Sequence, residues 1–188
     1  DRTARRRNPR NRLARRANRV DVLSREDAMT TDADILSRRW LLIDCDPVRA
    51  SGVSSSTVEH DAAKLTATSI RDHLHASGWP SPLLCDSGNG WHLLYRIDLP
   101  ADDAGLIQRC LHALAAQFSS PFVDIDKSVF NPSRICKLYG TYSRKGDHTE
   151  ERPHRRSLIV EGPEPGFGIV PVDLLQTLAA KAPAKAKR

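Results

Sequence analysis

Leu41-Leu42-Ile43-Asp44-Cys45-Asp46-Pro47 is an apolar run that ends in an Asp-x-Asp pair. On a strand, side chains alternate between faces. Ile43 and Cys45 then point to a core, while Asp44 and Asp46 point together to the other side. Two adjacent carboxylates repel unless something positive lies between them, and the usual neutralising partner is a divalent cation with oxygen ligands. The plain alternative is a strand that ends in two solvated Asp residues. A second stretch, Ser87-Gly88-Asn89-Gly90-Trp91-His92, reads as a small-residue turn opening onto a strand. Its Asn-Gly pair favours the positive φ of a tight hairpin.

The rest of the chain arranges itself around these two stretches. The first strand spans about residues 39–45. Ser56-Thr57-Val58-Glu59 has the form of a capping box, and the helix after it runs to about Ala76 with Ala63, Ala67, Ile70 and Leu74 on one apolar face. Residues 80–85 and 91–97 read as strands two and three. In the third, Trp91, Leu93, Tyr95 and Ile97 face the core, and His92, Leu94 and Arg96 face away. Asp102 or Asp103 caps a second helix with the buried stripe Leu106, Cys110, Leu114 and Phe118. Residues 121–126 form a fourth strand carrying a second Asp-x-Asp, Asp124 and Asp126. Outside this set, residues 21–38 read as a short helix and connector, 134–142 as a strand and turn, 158–160 as a strand, and 172–180 as a short helix.

Strand–helix–strand–strand–helix–strand predicts an α+β fold: a ferredoxin- or RRM-like βαββαβ palm with an N-terminal extension and additional C-terminal strands and helix. The expected sheet order is 4-1-3-2. In that order Asp44, Asp46, His92 and the fourth-strand Asp residues converge at one end of one sheet face.

Charge is unevenly distributed. Residues 1–20 hold nine Arg and one Asp, residues 181–188 add four cations, and the 160 residues between carry −6 of the overall +6. The expected organisation is a flexible basic arm (1–20), a catalytic domain (21–180) and a flexible basic tail (181–188). Within the acidic body, residues 127–156 are locally +5, which makes that segment the candidate for phosphate contact. Cys45, Cys85, Cys110 and Cys136 are widely spaced in apolar contexts and read as buried free thiols of a cytoplasmic protein. No apolar run reaches membrane-spanning length, so no membrane partner is expected. The first residue is Asp1 and the one methionine is Met29, so the chain reads as a piece of a longer protein.

Taken together, an Asp-x-Asp strand, a His opening a later strand after a small-residue turn, and an Asp on a fourth strand resemble the archaeo-eukaryotic primase superfamily. The closer resemblance is to the primase-polymerase domains of plasmids, phages and integrated elements. It covers roughly residues 35–160 and includes Asn131-Pro132-Ser133-Arg134, Tyr139-Gly140-Thr141, Arg144-Lys145-Gly146 and Arg152-Pro153-His154-Arg155. The resemblance implies template-directed nucleotidyl transfer with two Mg²⁺ or Mn²⁺ ions. It assigns Asp44, Asp46 and Asp126 as catalytic metal ligands, with Asp124 in reserve, and His92 as a contact to the incoming nucleotide.

Ser87, Asn89, Arg134, Lys137 and Lys145 complete the expected nucleotide-binding set. The expected partners are a DNA template and primer and nucleoside triphosphates; no G-x-x-x-x-G-K-[ST] motif is present, so a helicase module, if one exists, lies outside this chain. The family often has Ser two residues before the His, where this chain has Gly90. The zinc-binding stem of many members has no Cys/His cluster here to support it.

Two other classes compete. A replication-initiator nuclease needs a His-x-His pair on a strand. His73-Leu74-His75 has that spelling but falls in the capped helix, where residues two apart point about 200° from one another. A non-catalytic RRM-like nucleic-acid-binding module needs exposed aromatics on its sheet, and Trp91 and Tyr95 are expected to face the core.

Overall fold

The computed structural model describes residues 30–163 and 166–184. The basic arm, the start of the short helix expected after it, and residues 185–188 of the tail lie outside the described residues. The fold is mixed α+β, with a five-stranded sheet, a two-stranded ribbon and three helices of eight residues or more among the described residues.

Strand β1 (Ser37–Pro47) alternates as expected: Leu41, Ile43 and Cys45 are fully buried, and Leu42, Asp44 and Asp46 are not. Helix α1 (Thr57–Ala76) begins at the expected capping box. Ser56 Oγ accepts from the Glu59 amide at 3.2 Å, and Glu59 Oε2 accepts from the Ser56 amide at 2.8 Å. Its buried residues are His60, Ala63, Ala67, Ile70 and Leu74. His73 and His75 therefore sit on a helix, and the His73 ring packs edge-on against Phe118.

Strands β2 (Leu83–Asp86) and β3 (Trp91–Pro100) form the hairpin around Ser87–Gly90. Helix α2 (Leu106–Phe118) follows. Its N-cap position is Gly105, and Asp103 serves from two residues earlier, accepting from the Gly105 and Ile107 amides. Strand β4 (Val123–Ile125) closes the other side of β1. With a later strand, β7 (Leu158–Glu161), the strand order is β4-β1-β3-β2-β7, every neighbouring pair antiparallel. The first four strands thus stand in the expected order, and β7 extends the sheet past β2.

Both long helices lie on one face of the sheet. Leu41, Ile43, Leu93, Tyr95 and Ile97 pack with Ala67, Ile70 and Leu74 of α1 and Cys110, Leu111 and Leu114 of α2. Helix α3 (Val172–Ala179) adds Leu175 and Leu178 to the same core. Among the described residues no helix covers the opposite face of β1 and β3, and there the polar residues lie.

Two expectations fail in the segment after β4. Residues 134–142 do not form a strand. They run as turns up to the two-residue strand β5 (Tyr142–Ser143), which pairs with β6 (Arg155–Arg156). The reason is that the backbone groups here are taken locally and by Ser157. Arg134 N bonds Asn131 O, Gly140 N bonds Ser157 O, and Ser157 N bonds Thr141 O. Cys45, Cys85 and Cys110 are buried as expected, but Cys136 lies on these turns and is exposed.

Candidate functional site

Asp44 and His92 face each other across the β1–β3 ladder. His92 Nε2 lies 3.3 Å from Asp44 Oδ1, and its Nδ1 lies 2.8 Å from the Tyr139 hydroxyl. Burial lowers the affinity of His92 for its proton. The hydrogen bond and charge of Asp44, with Cys136, outweigh burial and raise the imidazole to about 9. His92 is therefore a cation at neutral pH, held between a carboxylate and a phenol. Asp46, two residues on, meets Arg49, whose Nη1 lies 3.1 Å from Asp46 Oδ1. The paired carboxylates were expected to repel unless neutralised. In the structure each has a cation of its own, and the Oδ2 atoms of Asp44 and Asp46 have no hydrogen-bond or ion-pair partner among the described residues.

The turn before His92 is shaped by close approach. A β-carbon at Gly90 would collide with the Cys45 carbonyl oxygen and stand 3.0 Å from Asp46 Oδ1. The glycine that departs from the resembling family's Ser is thus required by the packing of this turn against β1. Gly88 has φ +90°, and a β-carbon there would overlap Ser143. Ser87 Oγ closes the turn by donating to Gly90 O and accepting from Gly90 N, both at 3.0 Å. Asn89 is buried, with its Oδ1 accepting from the Ser55 amide and its Nδ2 donating to Ser143 Oγ. Both ends of Asn89 are thereby committed to pinning three loops together.

Asp44, Asp46, Ser87, Asn89, His92, Lys137 and Lys145 line one open cleft of about 490 Å³. These are seven of the ten residues expected at the site. Lys145 brings an ammonium with no partner among the described residues, while Lys137 Nζ donates to Tyr142 O at 3.0 Å. Arg134 stands outside the cleft wall, its guanidinium donating to Ser128 O.

The fourth-strand carboxylates reach the same sheet edge but not the cleft. Asp124 is opposite Asp46 in the ladder, and the Asp126 amide bonds Asp44 O at 3.0 Å. Asp126 Oδ1 accepts from the Ser128 amide at 2.7 Å. Asp124 Oδ1 accepts from Ser119 Oγ and lies 3.9 Å from Lys127 Nζ. Among the described residues no three His, Cys, Asp or Glu side chains are gathered closely enough to hold a metal ion.

Three site residues escaped sequence reasoning. Arg49 pairs with Asp46 three residues back, a spacing that was available to notice. Tyr139 was quoted in the resemblance but given no role. Cys136 Sγ lies 3.9 Å from His92 Nδ1 and 3.6 Å from the Tyr139 hydroxyl. Although the residue as a whole is exposed, its sulfur is turned against His92 and Tyr139; that partial burial pushes the thiol up, yet the bonds to these two residues outweigh it and hold the thiol below its ordinary value. Burial and Cys136 push the Tyr139 phenol up.

No family model, curated protein or solved structure matches the chain. No helix among the described residues is long and apolar enough to cross a membrane.

Proposed function

We propose that the chain is a template-directed nucleotidyltransferase, its sheet the ferredoxin-like palm and the face opposite α1 and α2 its working surface. Within that class it is a primase-polymerase domain of the kind found in plasmids, phages and integrated elements, acting on a DNA template and primer with nucleoside triphosphates. The observation that carries this reading is the single cleft in which Asp44 and Asp46 oppose His92 and Lys145.

The donor chemistry fits a divalent cation. Asp44 and Asp46 offer hard carboxylate oxygens on one face of a central strand, each with an Oδ2 unengaged among the described residues. Asp126 is the third carboxylate of the same edge, bonded through its backbone to Asp44. A Mg²⁺ or Mn²⁺ ion would be held by the Asp44 and Asp46 carboxylates and would supply Lewis acidity for nucleotidyl transfer.

The chain's own residues do the rest. His92, charged at neutral pH and held between Asp44 at Nε2 and Tyr139 at Nδ1, gives the cleft a fixed positive charge that attracts phosphate oxygen. Lys145 on the facing loop offers a free cation to the triphosphate, and Lys137 a second close by. Ser87 and Asn89 hold the loops that set these distances.

A second reading, a non-catalytic nucleic-acid-binding sheet, is favoured by the absence of a three-ligand carboxylate group among the described residues. Gel-resolved primer extension and de novo synthesis separate the two. With Mg²⁺ or Mn²⁺ and either nucleotide type, the wild-type chain is expected to make product and Asp44→Asn none. A wild-type chain that makes no product with either metal leaves the binding reading.

A further inference from the structure

The open face of β1 and β3 carries a stripe of matched cross-strand pairs. Trp40 stands opposite Arg96, Leu42 opposite Leu94, and Asp44 opposite His92. The stripe passes from aromatic through aliphatic to acidic along one direction. Expecting this face to lack aromatics counted Trp91 and Tyr95, both buried, and overlooked Trp40, which shares the parity of Asp44. Trp40 is 41% exposed, while Trp79 and Trp91 are 3% and 4% exposed. The Arg96 guanidinium lies 5.5 Å from the Trp40 ring centre, and Phe167 meets the ring edge-on at 5.3 Å.

Trp40, Leu42 and Leu94 help to line a groove of about 430 Å³ that has no carboxylate in its wall among the described residues. Arg38 and Arg39 also reach it but are paired, with Asp103 and Asp98. Arg134 bonds the carbonyl and hydroxyl oxygens of Ser128 and Lys137 bonds the Tyr142 carbonyl, so neither charge is balanced by a carboxylate among the described residues. Cys136 and Lys137 line both this groove and the carboxylate cleft, so the two adjoin.

We infer that the Trp40 groove binds single-stranded DNA, with a nucleobase stacked at Trp40 and the backbone phosphates against Arg134 and Lys137. The occupant follows from the wall. An exposed indole beside unbalanced cations suits a planar base on a polyanionic backbone, and a wall without carboxylates does not oppose that charge. Trp40 is four residues from Asp44 along β1, about 13 Å, which is roughly four base steps at the rise of a B-form strand. The inference rests on the nucleotidyl-transfer reading only for the strand being DNA.

The test uses the full chain and its intrinsic tryptophan emission, in salt high enough to weaken sequence-independent phosphate contacts. The titrants are an oligothymidylate and an abasic deoxyribose-phosphate strand of the same length. Expected is quenching by the oligothymidylate and little by the abasic strand. Trp40→Ala should weaken oligothymidylate binding about 5- to 150-fold and leave abasic binding unchanged, and Trp40→Phe should restore most of the affinity. Equal quenching by both strands, or none by either, overturns the inference. This readout needs only the wild-type chain, so it stands even where Trp40→Ala fails to fold. The two readings fail separately: quenching without primer extension sinks the catalytic one, and extension without base-dependent quenching sinks this one.

Discussion

Gly90 lies directly against Asp46: a β-carbon built on it would stand 3.2 Å from the Asp46 Cα, tighter than nearly all real contacts of that kind, and would strike the neighbouring Cys45 carbonyl. The obstacle is backbone, so relief requires the hairpin or β1 to move. Gly90→Ser, the residue usual in the resembling family, is expected to destabilise the fold by about 1–3 kcal/mol, or roughly 2–12 °C in Tm. Thermal unfolding checks it. A variant that melts with the wild type would show that the turn shifts freely.

Asp44→Ala is expected to destabilise the metal-free chain by about 1–3 kcal/mol, because it leaves a buried imidazole without its carboxylate. Mutual repulsion alone would predict the opposite sign, a gain on removing one charge. Urea unfolding in the presence of a chelator decides between them. The same variant should show no stabilisation by Mn²⁺, whereas the wild type should gain stability with rising Mn²⁺.

His92→Ala should reduce nucleotide affinity about 10- to 150-fold through loss of a charge-assisted contact. Nucleotide titration with Mn²⁺ held constant measures it. Equal nucleotide affinity for the two chains would restrict His92 to holding Asp44 and Tyr139 in place.

Glu59 supplies a pH signature away from the cleft. Its carboxylate caps α1 and takes two bonds from Arg152, at 2.8 and 2.9 Å. The Arg152 bond is the largest influence and, against a smaller opposing effect of burial, holds Glu59 below its ordinary 4.5. A depressed carboxylate stabilises the fold above its unfolded value, and that contribution is lost as pH falls through the folded one. Glu59→Gln should therefore lower the urea midpoint at pH 7, and the gap to wild type should close on acidification below about 4.5. A gap unchanged at acid pH would mean that Glu59 acts only as a neutral cap.

What the sequence by itself determined here is what is encoded within a few residues. Alternation in residues 41–46 and 91–97 set which side chains reach the core, and Ser56 with Glu59 marked the start of α1. The order of strands and helices was enough to bring Asp44 beside His92, because connection rules leave few ways to pair such strands. The tertiary structure decided the partners of the loops. Residues 134–142 carry strand-like apolar residues, yet Ile135 and Leu138 are 81% and 75% exposed, since Ser157 and local turns take the backbone groups a strand would need. That placement exposes Cys136 and brings the Tyr139 hydroxyl to His92. Likewise Asn89 was legible as a turn residue, but its bonds to Ser55 and Ser143 were not. These contacts join residues 34 to 54 positions apart. No local periodicity encodes them, and only the folded chain chooses which distant donor meets which acceptor.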